Sequence, residues 1–344
     1  MQSARLPTIG IDCRFAATHS GMGRYTRELV THLLRRNDPV QYVLFTRGKD
    51  NPWLPADVTT HYSLQTTNHP HYSLSEQFHF PRKIYNNKID LFFSPHFNIP
   101  ILSRVPFVIT NHDLILHRYP NQASLPRRLA YRFLMGQSVH RARSIIAVSR
   151  FTKNELVNVY GTSIDAKCTV IPEGVSSVFT PQPRNDQAPY FLYVGNAKEH
   201  KNVQTLIDAR AMLPETAPTL VLVTSGPEVD RLVLKQGTRR IASVDDAELP
   251  SLYSNAEAFV TASLYEGFCL PAAEALACGC PVIAPRTTAI AELGEGIRWT
   301  DPTAEAIAQA MSERRARPTP RRIGSWEDVA AKTAEIFRKC LTLG

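Results

Sequence analysis

The chain alternates short β-branched runs with longer amphipathic stretches, and it does so twice, on either side of a proline-rich break. "PTIGIDCRF" reads as a strand and leads into "THSGMGRYTRELVTHLLRR", where Tyr25, Leu29, Leu33 and Leu34 keep helical spacing. "VQYVLFTRG", "IDLFFSPH", "PFVITNHD" and "SIIAVS" read as further strands, with helical segments at "SLPRRLAYRFLMGQSVHRAR" and "RFTKNELVNVYG". After "TPQPRNDQAP" the pattern restarts with "YFLYVGN", a helix near "VQTLIDARAML", and "TLVLVTSG". It continues through "RRIASV", "AFVTAS", "PAAEALACG", "PVIAP", a helix near "TAEAIAQAMSERRA" and an amphipathic last helix that Ser325 can cap. Such alternation predicts parallel α/β sheets. We expect a first domain over 1–178, a linker at 179–188, a second domain over 189–324 and a terminal helix over 325–344. Ligands of open parallel sheets bind beyond the carboxyl ends of the strands, so the informative residues should follow strands.

Composition narrows the function classes. A chain of 344 residues, 43% hydrophobic and 20% charged, can build two ordinary soluble cores. Its start lacks the apolar region of a secretory signal, and no apolar run approaches the roughly 18 residues of a spanning helix, so a cytoplasmic protein is expected. Cys278 and Cys280 are one residue apart, closer than paired zinc ligands usually stand, so reduced packing cysteines are the expectation. Residues 1–178 hold 21 Lys and Arg against 11 Asp and Glu, a net +10, whereas the remainder holds 18 against 20, a net −2. That asymmetry points to an anionic partner for the first half. Without a zinc finger, an aromatic-rich RNP-like segment or a long basic run, nucleic acid is not expected, and an acidic membrane surface or phosphorylated lipid fits better.

Four stretches carry chemistry. In "THSGMGRYTREL", Gly21 and Gly23 stand where strand becomes helix, and either let a ligand approach the backbone or only make a tight turn. "YVGNAKEHKN" brings Lys198, His200 and Lys201 to a strand end, as a phosphate-neutralising site or a solvated basic turn. His112 and Asp113 close the strand in "ITNHDL", and a histidine there is functional or merely structural. In "YEGFCLPAAEALACGCPVIAP", Pro271 and Gly279 predict a helix over 271–278 with Glu274 in its first turn. The amides of Phe268, Cys269 and Leu270 precede that helix and can meet a phosphate, while Glu266 and Glu274 can accept sugar and ribose hydroxyls. No third acid stands nearby in sequence to make a metal site.

That last stretch resembles the Glu-x7-Glu segment of the retaining glycosyltransferases of family 4. "IGIDCR…SGMGRYTREL", "SPHFNIP", "VITNHDL", "IIAVSRFTKNEL", "VIPEGV", "FLYVGNAKEHKN" and the terminal "SWED" follow in family order, so the resemblance spans nearly the whole chain. Its style is nearest to bacterial mannosyltransferases of O-antigen, capsule and exopolysaccharide assembly. The resemblance implies the α/β GT-B fold, two facing Rossmann-like doubly wound parallel-sheet domains with the C-terminal helix crossing back to the first. It implies sugar transfer from a nucleotide donor with the anomeric configuration kept and no metal or other cofactor. In this sequence Glu274 would hold the donor ribose and Glu266 the hydroxyls of the transferred sugar. Lys201 would meet the diphosphate and His112 the sugar's 6-hydroxyl near the anomeric centre. Gly195, Asn196 and Lys198 would line the donor loop, the Phe268–Leu270 amides would face sugar and phosphate, and Gly21 and Gly23 would lie near the phosphates and acceptor. Two departures stand out. Asn196 occupies the position of a second diphosphate cation, an arginine in many relatives, with Lys198 as the candidate replacement. Cys269 stands where glycine is usual.

GDP-mannose is the expected donor, with UDP-glucose, UDP-galactose and dTDP-rhamnose as alternatives, and base recognition is expected after "LVLVTSG" and around "AELPSLYSNA". A lipid-linked oligosaccharide is the expected acceptor, with Arg127, Arg128 and Arg132 on a helix that either faces an anionic membrane or is merely solvated. A sugar-nucleotide epimerase, a phosphorylase, a non-catalytic sugar-nucleotide-binding protein and a nucleic-acid binder driven by the basic first half, whose affinity would collapse with added salt, are the rival readings.

Overall fold

The computed structural model describes residues 5–18, 20–185, 188–313 and 316–342. Asp186 and Gln187 of the expected linker, His19 of the glycine stretch and Arg314–Arg315 of the expected "TAEAIAQAMSERRA" helix lie outside these residues. The chain forms two compact units, Met1–Gly174 with Trp326–Gly344, and Val175–Ser325.

Unit 1 holds a parallel sheet of β1 (Thr8–Asp12), β2 (Gln41–Thr46), β3 (Tyr62–Thr66), β4 (Leu91–Ser94), β5 (Phe107–Asn111), β6 (Ser144–Ala147) and β7 (Cys168–Val170). Their order is β3-β2-β1-β4-β5-β6-β7, every neighbouring pair parallel, with Ile9 opposite both Tyr42 and Leu91. The helices are α1 (Gly21–Arg35), α2 (Leu74–Asn86), the single turn α3 (Ile115–Arg118), α4 (Leu125–Arg141) and α5 (Arg150–Tyr160). Central strands such as β1 and β5 are buried at every position, as expected for a sheet covered on both faces. Phe45, Phe80, Phe92, Ile109 and Met135 belong to one core cluster. Serines cap α1, α2 and α5: Ser20 accepts from the Gly23 amide, Ser73 from Glu76 and Ser149 from Thr152.

Unit 2 repeats the plan with β8 (Tyr190–Val194), β9 (Thr219–Val223), β10 (Thr238–Ile241), β11 (Ala258–Val260), β12 (Val282–Pro285) and β13 (Ile297–Thr300). The order β10-β9-β8-β11-β12-β13 is again wholly parallel. Its helices are α6 (Val203–Ala211), α7 (Leu249–Asn255), α8 (Leu270–Ala277) and α9 (Ala304–Ser312). Phe191, Leu206, Leu222, Val260 and Ile283 cluster in its core. In each sheet the chain starts centrally, winds one way, then crosses back to wind the other. The switch points lie between β1 and β4 and between β8 and β11, where ligands of open sheets bind.

The last helix, α10 (Trp326–Thr342), belongs to unit 1. Trp326 meets Tyr25 of α1 edge-on, ring centroids 5.5 Å apart, and Phe337 meets Phe93 of β4 at 5.1 Å.

Candidate functional site

The loops that leave β8 and β11 flank the switch point of unit 2, and both carry expected site residues. The β8 loop is built by its own side chains. A Cβ on Gly195 would stand 2.9 Å from the Tyr193 hydroxyl, which donates to the Asn196 carbonyl at 2.7 Å. Asn196 Oδ1 accepts from the Lys198 amide at 3.2 Å, closing a turn before the short helical turn Glu199–Lys201. Asn196 Oδ1 thus helps to fold the loop, while Asn196 and Lys198 both remain exposed. His200 is not a cation here. Burial, with Lys201 and Lys198 alongside, pushes its ring down to about 3.

Lys201, only 19% exposed, closes on Glu266 of the β11 loop, its Nζ 2.6 Å from Oε1 and 2.7 Å from Oε2. The Glu266 amide donates to Thr288 Oγ1 at 2.9 Å, and Thr287 donates to the Ser263 carbonyl at 3.0 Å. Thr288 adopts φ +50°, an unfavourable conformation for a β-branched residue, in the loop that holds Glu266.

Between Glu266 and Glu274 the chain turns sharply. Cys269 is the residue before α8 and has φ +75° and ψ +62°, left-handed backbone that costs an L residue about 1–2 kcal/mol. This explains why glycine suits the position. Burial, reinforced by Glu266, pushes the Cys269 thiol well up and keeps it protonated. Among the described residues no acceptor meets the amides of Phe268, Cys269 or Leu270, although the Phe268 and Leu270 side chains are buried. Three such N–H groups at a helix start favour an anion.

The helix expected over 271–278 begins one residue earlier, so Glu274 is its fifth residue and lies beyond the first turn. The left-handed backbone of Cys269 ends the loop, and the helix starts at the next residue, Leu270. Glu274 is 1% exposed and accepts from the Tyr253 hydroxyl at 3.0 Å. Tyr253 comes from α7, inside the "AELPSLYSNA" stretch expected to read the base. Its fully buried ring orients a carboxylate. With Lys201 on Glu266 and Tyr253 on Glu274, each of the two acids is met by a donor.

In unit 1, Gly21 and Gly23 part company. Gly21 is exposed, with nothing within 4 Å of a Cβ, whereas a Cβ on Gly23 would stand 2.1 Å from the Thr18 carbonyl. Gly23 is required by the chain's own packing. His112 immediately follows β5, with Nδ1 3.0 Å from Glu173 Oε1 and Nε2 2.9 Å from the Pro95 carbonyl. Asp113 accepts from the Ile115 amide at 3.0 Å, which makes it a local cap.

Asp12, Glu76 and His71 also converge in unit 1, each with a candidate ligand atom within 4.8 Å of the others, the one such group among the described residues. Fully buried Arg14 stands among them, donating to Asp12 Oδ2 at 2.6 Å and to Glu76 Oε1 at 2.5 Å, so the guanidinium already supplies the positive charge. The six cysteines are buried and unpaired in disulfides.

Sequence reasoning missed Tyr253, Thr288 and Glu173 as contributors. Two of them had a signal, Glu173 inside "VIPEGV" and Tyr253 inside "AELPSLYSNA".

The chain's first half matches the family model for Glycosyltransferase Family 4 over residues 19–179, and its second matches that for Glycosyl transferases group 1 over residues 177–318. It is 26% identical over 362 residues to O-antigen chain mannosyltransferase B of Escherichia coli, with 94% of each chain covered. It is 31% identical over 196 residues to O-antigen chain mannosyltransferase RfbU of Salmonella typhimurium, covering 55% of this chain and 54% of that one. Among solved structures, sucrose-phosphate synthase from Thermosynechococcus elongatus shares the fold with a TM-score of 0.76 at 21% identity, over 99% of this chain and 100% of that one.

Proposed function

The chain belongs to glycosyltransferase family 4, with the GT-B architecture of two Rossmann-like units, and from that premise we propose that it transfers mannose from GDP-mannose to a lipid-linked bacterial surface glycan. The two O-antigen mannosyltransferase relatives support the sugar and the glycan class. The observation that carries the reading is the Lys201–Glu266 pair, combined with unmatched amides at the start of α8 and with Glu274 one turn further on. A cation, three N–H donors and two carboxylates are the complementary groups for a diphosphate flanked by a sugar and a ribose diol.

In this reading Glu274 accepts the ribose hydroxyls, and Glu266 accepts those of the transferred sugar. Lys201 moves part of its hydrogen bonding from Glu266 to the diphosphate as the leaving group charges, assisted by the amides of Phe268, Cys269 and Leu270. The bond from the anomeric carbon to the diphosphate oxygen breaks. The acceptor oxygen bonds to that carbon from the same face, and its proton passes to the departing diphosphate oxygen. The configuration is retained, and neither a divalent cation nor a dedicated general base is required. Lys198 offers a second charge where Asn196 replaces the usual arginine.

The basic first unit supplies the membrane-facing side. On α4, Leu125, Leu129 and Phe133 are exposed at four-residue intervals, with Arg127 and Arg132 exposed on the same helix. An apolar stripe beside arginines suits an interface rich in anionic lipid, where a lipid-linked acceptor resides.

The experiment is a thermal-shift panel of GDP-, UDP- and dTDP-sugars followed by transfer assays with the stabilising donor. GDP-mannose is expected to stabilise most and to be consumed. A shift with only a UDP- or dTDP-sugar would change the donor. Tight binding without turnover on any acceptor would favour a non-catalytic sugar-nucleotide-binding protein.

A further inference from the structure

At the carboxyl end of β5, His112 is held at both ring nitrogens. Nε2 is 2.9 Å from the Pro95 carbonyl, which can only accept, so Nε2 carries a hydrogen. Nδ1 is 3.0 Å from Glu173 Oε1. If the ring were neutral, Nδ1 would aim a lone pair at that carboxylate, so an ionised Glu173 requires a hydrogen there also. The ring is further fixed by Tyr25 of α1, edge-on with centroids 4.6 Å apart, and the His112 backbone by Thr152 of α5, which donates to its carbonyl at 3.2 Å. We infer that Glu173 is a positioning residue that keeps the His112 ring doubly protonated, so that a ligand reaching the end of β5 meets a fixed cation and not a base.

The other titratable groups around the ring are compatible with this. Burial opposes charge on His112, but Glu173, the Pro95 carbonyl and Asp113 outweigh it and raise the ring above its ordinary value. Beyond β4, His96 is pushed well down by burial and by His112 and His71, so it stays neutral and does not compete for a proton. The Tyr25 phenol is pushed up, chiefly by burial, and remains protonated. A cation with both N–H groups engaged still acts through its charge on a phosphate or on an oxygen gaining electrons. It has no lone pair with which to take a proton from an acceptor hydroxyl. The kinetic consequence rests on the transferase reading; the protonation state does not.

The test is ring nitrogen NMR of the full chain, with steady-state kinetics beside it. At about pH 7.5, where free histidine with a pKa near 6.5 is mostly neutral, the wild-type His112 ring is expected to show hydrogens on both nitrogens. Glu173→Gln keeps an acceptor but removes the charge, and is expected to lower the ring pKa by about one unit or more. Its kcat should fall ~10-fold at pH 8 with little change in donor KM, and the deficit should close toward pH 6 as the ring protonates unaided. Glu173→Asp should retain much of the wild-type behaviour. An unprotonated Nδ1 in the wild type, or a loss equal at every pH, would overturn the inference. If Glu173→Gln does not fold, the wild-type spectrum alone decides. If no donor is turned over, the transferase reading fails while the spectrum still decides the state of the pair.

Discussion

Lys201 and Glu266, 65 residues apart in the chain, form a two-pronged ion pair with Nζ 2.6 and 2.7 Å from the two carboxylate oxygens. Each is mostly buried, so each makes the other tolerable. The same pair offsets the charge of Glu266 in the loop after β11.

Lys201→Ala removes the cation and strands a buried carboxylate. It should cost about 3–5 kcal/mol of stability, and at least ~100-fold in kcat. The double variant Lys201→Met with Glu266→Leu should regain most of the stability and none of the activity. Chemical unfolding of the three proteins together with transfer kinetics checks both statements.

Cys269 should tolerate glycine and resist branching. Cys269→Gly trades left-handed strain for chain entropy and lost side-chain burial, and should change stability by less than about 1 kcal/mol with transfer retained. Cys269→Val should lose ~2 kcal/mol or more, because a β-branched residue disfavours φ +75°. Thermal unfolding of both variants, with thiol labelling of the wild type as a control for burial, is the measurement.

The Asp12–Arg14–Glu76 cluster makes unit 1 acid-sensitive. Burial raises both carboxylates, but Arg14 and the hydrogen-bond donors around them outweigh it, and their folded-state values lie below the ordinary range. Their stabilisation is therefore complete above the unfolded values, near 3.9 and 4.3, and is lost as pH falls through the lower folded ones. Arg14→Met should cost about 3–5 kcal/mol at pH 7, since two carboxylates are then buried together. That deficit should shrink near pH 4, where the unpaired acids protonate. Denaturant melts of both proteins at the two pH values give the comparison.

The α4 stripe predicts vesicle binding. Leu129→Asp with Phe133→Asp should reduce association with phosphatidylglycerol vesicles ~10-fold or more, yet leave transfer to a water-soluble acceptor unchanged, because both side chains are exposed in the fold. Equal binding of the variant in a sedimentation assay would remove this helix from the membrane side.

Much of this framework was legible in the chain. The strands β5, β8 and β11 are apolar runs that lead into polar loops, so His112, Lys201 and Glu266 are legible as residues that follow strands. The marginal elements were not legible. In β3, "YSLQT" is half exposed and weakly patterned, β7 is three residues long, and the interior Pro81 disguises α2. Pairings across 61 and 65 residues, His112 with Glu173 and Lys201 with Glu266, are set by tertiary packing that no local pattern encodes. The oddity at Cys269 was visible, but its cause was not, because a positive φ follows from the loop closing onto α8.

The most direct test of the central claim is calorimetric titration of GDP-mannose into the wild type, Glu274→Ala and Tyr253→Phe. Glu274 holding the ribose, with Tyr253 orienting it, predicts saturable binding to the wild type. Glu274→Ala should weaken it ~100-fold and Tyr253→Phe ~10-fold, from the loss of charged and neutral hydrogen bonds respectively. Unchanged affinity in Glu274→Ala for every nucleotide sugar that the wild type binds would contradict the account.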